Sequence, residues 1–151
     1  MVFETLQEVE AAIGQHLGTS PWVDITQDMV NQFAESTKDL QWIHVDVERA
    51  NRESPFGAPI AHGFLTLSLA SYFISHIMTV KSVKMGVNYG LNKVRFISPV
   101  KVGSRVRMSA KLLSSEPYRE TGRRSITECT FEIEGEDKPA CIAEWVGLAF
   151  E

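Results

Sequence analysis

Residues 64–78 read FLTLSLASYFISHIM. Laid on a helix, the apolar residues fall on nearly every face, and the polar ones are small or singly placed. A helix that is apolar nearly all round is a buried helix. The stretch therefore predicts one long central helix inside the protein, opening at Gly63. On such a helix His76 reads as a satisfied or partly exposed histidine rather than a ligand.

Downstream the period changes. VKMGVNYGLNKVRFISPV (83–100) has strand composition, with Gly86 and Gly90 as bulge or bend sites. SRVRMSAKLL (104–113) alternates, with Val106, Met108, Ala110 and Leu112 on one face and Arg105, Arg107, Ser109 and Lys111 on the other. SITECTFEIE (125–134) does the same, turning Thr127, Cys129, Phe131 and Ile133 inward and Glu128, Glu132 and Glu134 outward. PACIAEWVGLAF (139–150) is a last strand. Period-two alternation with one polar face means an antiparallel sheet covered on one side.

Upstream, residues 3–13 predict a short helix with Phe3, Leu6, Val9 and Ile13 on one face, and TSPWVDI (19–25) a short strand. Thr26 is an N-cap, with Asp28 in the first turn of a helix that buries Met29, Val30, Phe33 and Ala34 and ends near Thr37. Asp39 to His44 reads as a loop. Asp46 caps a further short turn, and SPFGAPIAHG (54–63), with two prolines and two glycines, is loop or turn. Helices gathered on one face of an antiparallel sheet make an α+β architecture. From the element order, a single apolar helix wrapped by the sheet is the hot-dog arrangement.

The chain has 151 residues, which fits one domain, 1–151. At 44% hydrophobic and 23% charged residues it can bury a real core, and the net charge of −4 argues against a nucleic-acid surface. The two cysteines, Cys129 and Cys141, lack metal-ligand spacing and sit in alternating apolar patterns, as buried thiols in a reducing cytoplasm would. MVFETLQEVEAAIG has acids and no basic region before an apolar run, unlike a signal peptide, and no stretch reaches the length of a membrane span.

Two short pieces carry chemistry. Asp39 and His44 lie five apart beyond a helix end. An aspartate beside a histidine can hold and polarise water or orient the imidazole as a base; a capping aspartate and a surface histidine would leave the same spacing. In IAHGF (60–64), Gly63 begins the central helix, where backbone N–H groups lack intrahelical partners and meet developing negative charge; a glycine that only permits a tight turn would read alike. Combined, water activation and an oxyanion hole are what hydration of an α,β-unsaturated thioester requires.

FAESTKDLQWIHVDVERA (33–50) followed by PFGAPIAHGFLTLSL (55–69) resembles the MaoC-like dehydratase family of R-specific enoyl-CoA hydratases, in particular its nodulation-protein-N-like subgroup, which shares QWIHVD and NYGLNKVRF. The resemblance covers most of the chain. It rests on a D-x-N-P-x-H motif and an A/V-H-G segment opening the central helix. It implies that Asp39 and His44 are the catalytic pair gripping water, that the Gly63 N–H holds the thioester oxygen, and that Ser71, two turns along the helix, lines the acyl site. It also implies an acyl-CoA thioester substrate, no cofactor and a homodimer. Gln41 and Trp42 replace the Asn and Pro of the motif, and both recur in the subgroup; Lys38 stands where Gly often precedes the Asp. Lys38 could meet a CoA phosphate or simply be solvated, as could Lys93, Arg95, Arg105 and Arg107. Asp39, His44, Asp46 and His62 supply ligand types, but H-x-D is not a zinc pattern and no cysteine joins it, so no metal is expected; His62 braces the turn before Gly63. A hot-dog thioesterase and a non-catalytic acyl-CoA-binding module share the fold; the intact Asp39/His44 spacing with A-H-G sets both behind the hydratase.

Overall fold

The alternating segments become the strands of a six-stranded antiparallel sheet. A computed structural model describes residues 1–151. In chain order the elements are β1 (Val2–Phe3), a 3-10 turn (Gln7–Ala12), β2 (His16–Thr19), β3 (Val23–Asp24), α1 (Gln27–Thr37), α2 (Trp42–Val45), α3 (Val47–Glu53), α4 (Gly63–Ser68), α5 (Ala70–Ile77), β4 (Thr79–Val80), β5 (Met85–Phe96), β6 (Arg105–Tyr118), β7 (Gly122–Ile133) and β8 (Cys141–Phe150). The strand order is β2-β6-β7-β8-β5, with β3 also paired to β6, and β1 and β4 form a separate parallel pair. No helix is long and apolar enough to cross a membrane.

The register of β6 on β7 follows the alternation. Met108 faces Phe131 and Ala110 faces Cys129 on the inner side, while Arg107 faces Glu132 and Lys111 faces Glu128 on the outer side. Phe73 of α5 meets Phe131 edge to face, with ring centroids 6.2 Å apart and both rings fully buried. A helix thus lies against one face of an antiparallel sheet, as the hot-dog arrangement requires. Burial pushes the Cys129 thiol up to about 12 and the Cys141 thiol up to about 11, so both are inert free thiols. On the outer face Arg105 pairs with Glu134 and Asp24, and Arg107 with Glu132 while lying over the Trp22 ring. These two arginines form the solvated strand face that alternation predicts.

Several expectations require correction. The central helix is two segments with a break at Leu69. There Leu69 N–H donates to Thr66 O, a tightened bond, and one residue earlier Ser68 Oγ donates back to Phe64 O at 2.6 Å, a contact that bends helices. Nor is the helix buried all round, for Phe64 and Tyr72 are 66% and 49% exposed. Residues 3–13 do not form one helix. Phe3 belongs to β1, and the following turn has three residues per turn, which puts Leu6, Val9 and Ala12 inward and leaves Ile13 exposed. TSPWVDI is not continuous strand, because Pro21, which has no N–H to donate, separates β2 from β3. Met29 and Phe33 are half-buried, whereas Val30 and Ala34 are fully buried. On β5 the register shifts at Gly90 as expected and again between Leu91 and Lys93, while Gly86 pairs regularly with Ala149.

Candidate functional site

The helix α1 starts where its cap predicts, with Met29 N–H donating to Thr26 Oγ1. It ends at Lys38, whose φ of 66° is left-handed. Glycine suits that position best, which explains why Gly is common before the aspartate. The turn sends the chain through Asp39 and Leu40, both exposed, into α2. His44 does not lie in a loop, as the sequence suggests, but on the single helical turn of α2. Asp46 then caps α3 by accepting from Arg49 N–H, and Arg49 places its guanidinium over the Trp42 ring, 4.2 Å from its centroid.

The segment 59–62 crosses beneath this turn and is tied on both sides. Ile60 N–H donates to Ile43 O, Ala61 N–H to Val100 O, and Val102 N–H to Pro59 O. The Ile60 carbonyl lies 2.6 Å from His44 Nδ1. A carbonyl only accepts, so Nδ1 carries the proton and Nε2 of the neutral ring is left with its lone pair. The His62 ring stacks on His44, with centroids 3.8 Å apart and planes 23° from parallel, and Phe33 packs on His62 at 4.9 Å. His62 Nε2 lies 3.0 Å from the Asp39 carbonyl, which makes it the donor there. Its Nδ1 is buried and has no partner. The Asp39 carboxylate is half exposed, 3.9 Å from His62 Nε2.

Burial holds the His44 pKa below the ordinary imidazole value, and the charge that His62 can carry lowers it further; the Ile60 bond and Asp39 act in the opposite direction. His44 is therefore neutral at pH 7. Donor atoms of Asp39, His44 and His62 lie within 4.8 Å of one another. Stacked imidazoles, however, aim their in-plane lone pairs along nearly parallel planes, so one cation cannot lie on both axes at the bond lengths a metal requires.

Gly63 is the first residue of α4. Leu65 and Thr66 N–H both turn to His62 O, whereas the N–H groups of Gly63 and Phe64 have no protein partner. A Cβ at Gly63 would come 2.9 Å from Phe96 Cδ1, so a side chain here would have to push the Phe96 ring aside. Gly63 lines a groove of about 460 Å³ with Phe56, Phe64, Phe96 and Ile97. Ser71 stands apart from Asp39 and His44, with no contact to either. It faces β5, where Asn88 Nδ2 donates to its Oγ at 3.1 Å. It borders both a groove of about 530 Å³, walled by Ile74, Met78, Val87 and Trp145, and a smaller one of about 210 Å³. Asp39, His44 and Gly63 thus gather around the 59–62 segment, while Ser71 marks a different stretch of the surface.

An antiparallel sheet packed on a central helix defines a hot-dog protein, here with an aspartate and a buried histidine beside the helix entrance. Residues 8–130 match the MaoC like domain, and the chain belongs to the MaoC-like dehydratase family. It is 51% identical over 142 residues to 3-hydroxyacyl-thioester dehydratase Z of Mycobacterium tuberculosis, covering 94% of this chain and 93% of that protein. Nodulation protein N of Rhizobium meliloti is 47% identical over 146 residues, 96% and 91% of the two chains. Among solved structures, R-hydratase PhaJ1 from Pseudomonas aeruginosa in the unliganded form superposes with a TM-score of 0.74 at 23% identity, over 99% of this chain and 87% of that one, a likeness of fold. The dehydratase names of the relatives set this chain among the hydro-lyases.

The lowered His44 pKa has a consequence for stability. The unfolded histidine titrates near 6.5, so at pH values below that the unfolded chain binds more protons than the folded one. The contribution of neutral His44 is fully present above pH ~6.5 and is lost as pH falls through its folded pKa. Urea unfolding at pH 7.5 and 5.0 should show a larger acid loss for wild type than for His44→Gln; equal losses would mean that His44 charges freely in the folded state.

Proposed function

We propose that the protein is an R-specific enoyl-CoA hydratase, adding water reversibly to trans-2-enoyl-CoA to give (R)-3-hydroxyacyl-CoA. The observation that carries this reading is the buried, neutral His44, fixed through Nδ1 with Nε2 left to accept a proton, beside the Asp39 carboxylate. In this reading Asp39 and His44 hold one water. Its oxygen forms the bond to Cβ while the pair takes its proton, and the electron pair of the double bond moves toward the thioester oxygen. The Gly63 N–H receives that oxyanion. As the enolate collapses a proton returns to Cα, and the pair ends in the state in which it began. No cofactor or metal enters. The apolar groove beside Ser71 takes the acyl chain, with Ser71 held in place by Asn88.

We also read residues 1–151 as one domain, acting as a homodimer in the reducing cytoplasm that two free thiols favour. Strand β5 ends the sheet, and all but one of its twelve residues are exposed. Met85, Val87, Tyr89 and Leu91 lie bare along it, with Phe64 and Tyr72 bare on the helices. A long apolar edge strand is a pairing surface, and a second copy of the chain covers it. Light scattering should give the mass of two chains; the mass of one would contradict the dimer.

Catalysis is tested by loss of the enoyl-thioester absorbance with crotonyl-CoA and a longer enoyl-CoA. Wild type should consume both, and Asp39→Asn and His44→Ala should each lower kcat by about 10²–10⁴-fold. Release of free thiol by wild type would point to a thioesterase, and binding without either change to an acyl-CoA-binding module; each result would refute the hydratase.

A further inference from the structure

His62 occupies a costly position. It is 3% exposed, and one of its ring nitrogens has no protein partner. A phenylalanine would fill the same space, between Phe33 and His44, without an orphaned polar atom. What phenylalanine could not do is donate to the Asp39 carbonyl, 3.0 Å from His62 Nε2. One buried ring therefore touches both members of the pair, one through its face and the other through its edge.

We infer that His62 is a positioning residue that couples Asp39 to His44: its face is the plate on which the His44 ring is held, and its Nε2–H anchors the backbone of Asp39. The inference rests on the hydratase reading and adds to it a second histidine, one that holds the pair in place. Without the anchor, Asp39 hangs on the exposed turn after Lys38, where its carboxylate has only a 3.4 Å contact from the Gln41 N–H. Without the plate, His44 keeps its Ile60 bond but is free to swing about it. The titratable groups that act on His44 are His62, stacked on its face, and Asp39; Arg49 on α3 is occupied by the Trp42 ring and Glu53.

His62→Phe keeps the plate and removes the donor; His62→Gln keeps a donor at the corresponding reach and removes the plate. Two measurements follow on full-length wild type and both variants: crotonyl-CoA hydration across pH, and the His44 ring titration by NMR. His62→Phe should lose about 10²-fold in kcat, the scale of an ångström of misplacement, with KM changed far less. His62→Gln should recover part of that loss. In both variants the His44 midpoint should move from its wild-type value, because each changes the ring packed on His44 or the bond that holds Asp39 beside it, and the acid limb of the kcat/KM profile should move with it. The inference is overturned if the His44 midpoint stays at the wild-type value in both variants, or if kcat falls only in proportion to the folded fraction. A wild type that hydrates nothing would refute the hydratase reading alone, since the NMR titration decides the coupling without turnover.

Discussion

The bond from His44 Nδ1–H to the Ile60 carbonyl, 2.6 Å long and buried, joins the two halves of the site. One half comes from α2, delivered by the turn at Lys38. The other is the 59–62 segment, which Ala61 N–H to Val100 O and Val102 N–H to Pro59 O tie to the backbone at 100 and 102. Because the bond fixes the tautomer, it determines which nitrogen meets solvent. Because the same segment runs directly into α4, it also sets where the Gly63 N–H lies relative to His44. A shift of the segment would move His44 and the Gly63 N–H together, so the site is one mechanical unit.

The sheet supplies the rigidity that this unit requires. Val100 holds Ala61 at the start of the segment, and the inner residues of β6 and β7 support α5 through Phe73. The opposite flank is different. Along β5 and the outer side of α4 and α5 the chain leaves apolar side chains bare, and Ser71 with its Asn88 partner sits among them. In a dimer, that flank would be where the groove beside Ser71 acquires its second wall.

Much of the fold was legible because local rules agree with tertiary burial. The alternation of residues 104–134 predicts the β6–β7 register down to Met108 on Phe131, and the caps at Thr26 and Asp46 form as read. Errors arose where a period other than 3.6 or 2 governs, as in the 3-10 turn that leaves Ile13 outside, or where a serine side chain intrudes on the helix ladder near Leu69. The exposure of Phe64 and Tyr72 was illegible for another reason, since an apolar residue on a helix does not by itself say whether a neighbouring element covers it. At the site, Asp39, His44 and Gly63 could be named from spacing and resemblance. His62 was visible only as a brace for the turn; its stack on His44 depends on one segment crossing another, and no spacing encodes that. Asn88 had only its place before the Gly90 register shift to mark it.

The most direct test of the central claim is to follow the fate of the water itself. Wild type is incubated with crotonyl-CoA in D2O, and the product is examined by NMR and by chiral analysis. Hydration by this site predicts 3-hydroxybutyryl-CoA with the hydroxyl on C3 in the R configuration and one deuterium on C2. Crotonate and free CoA, or unchanged crotonyl-CoA, would contradict it.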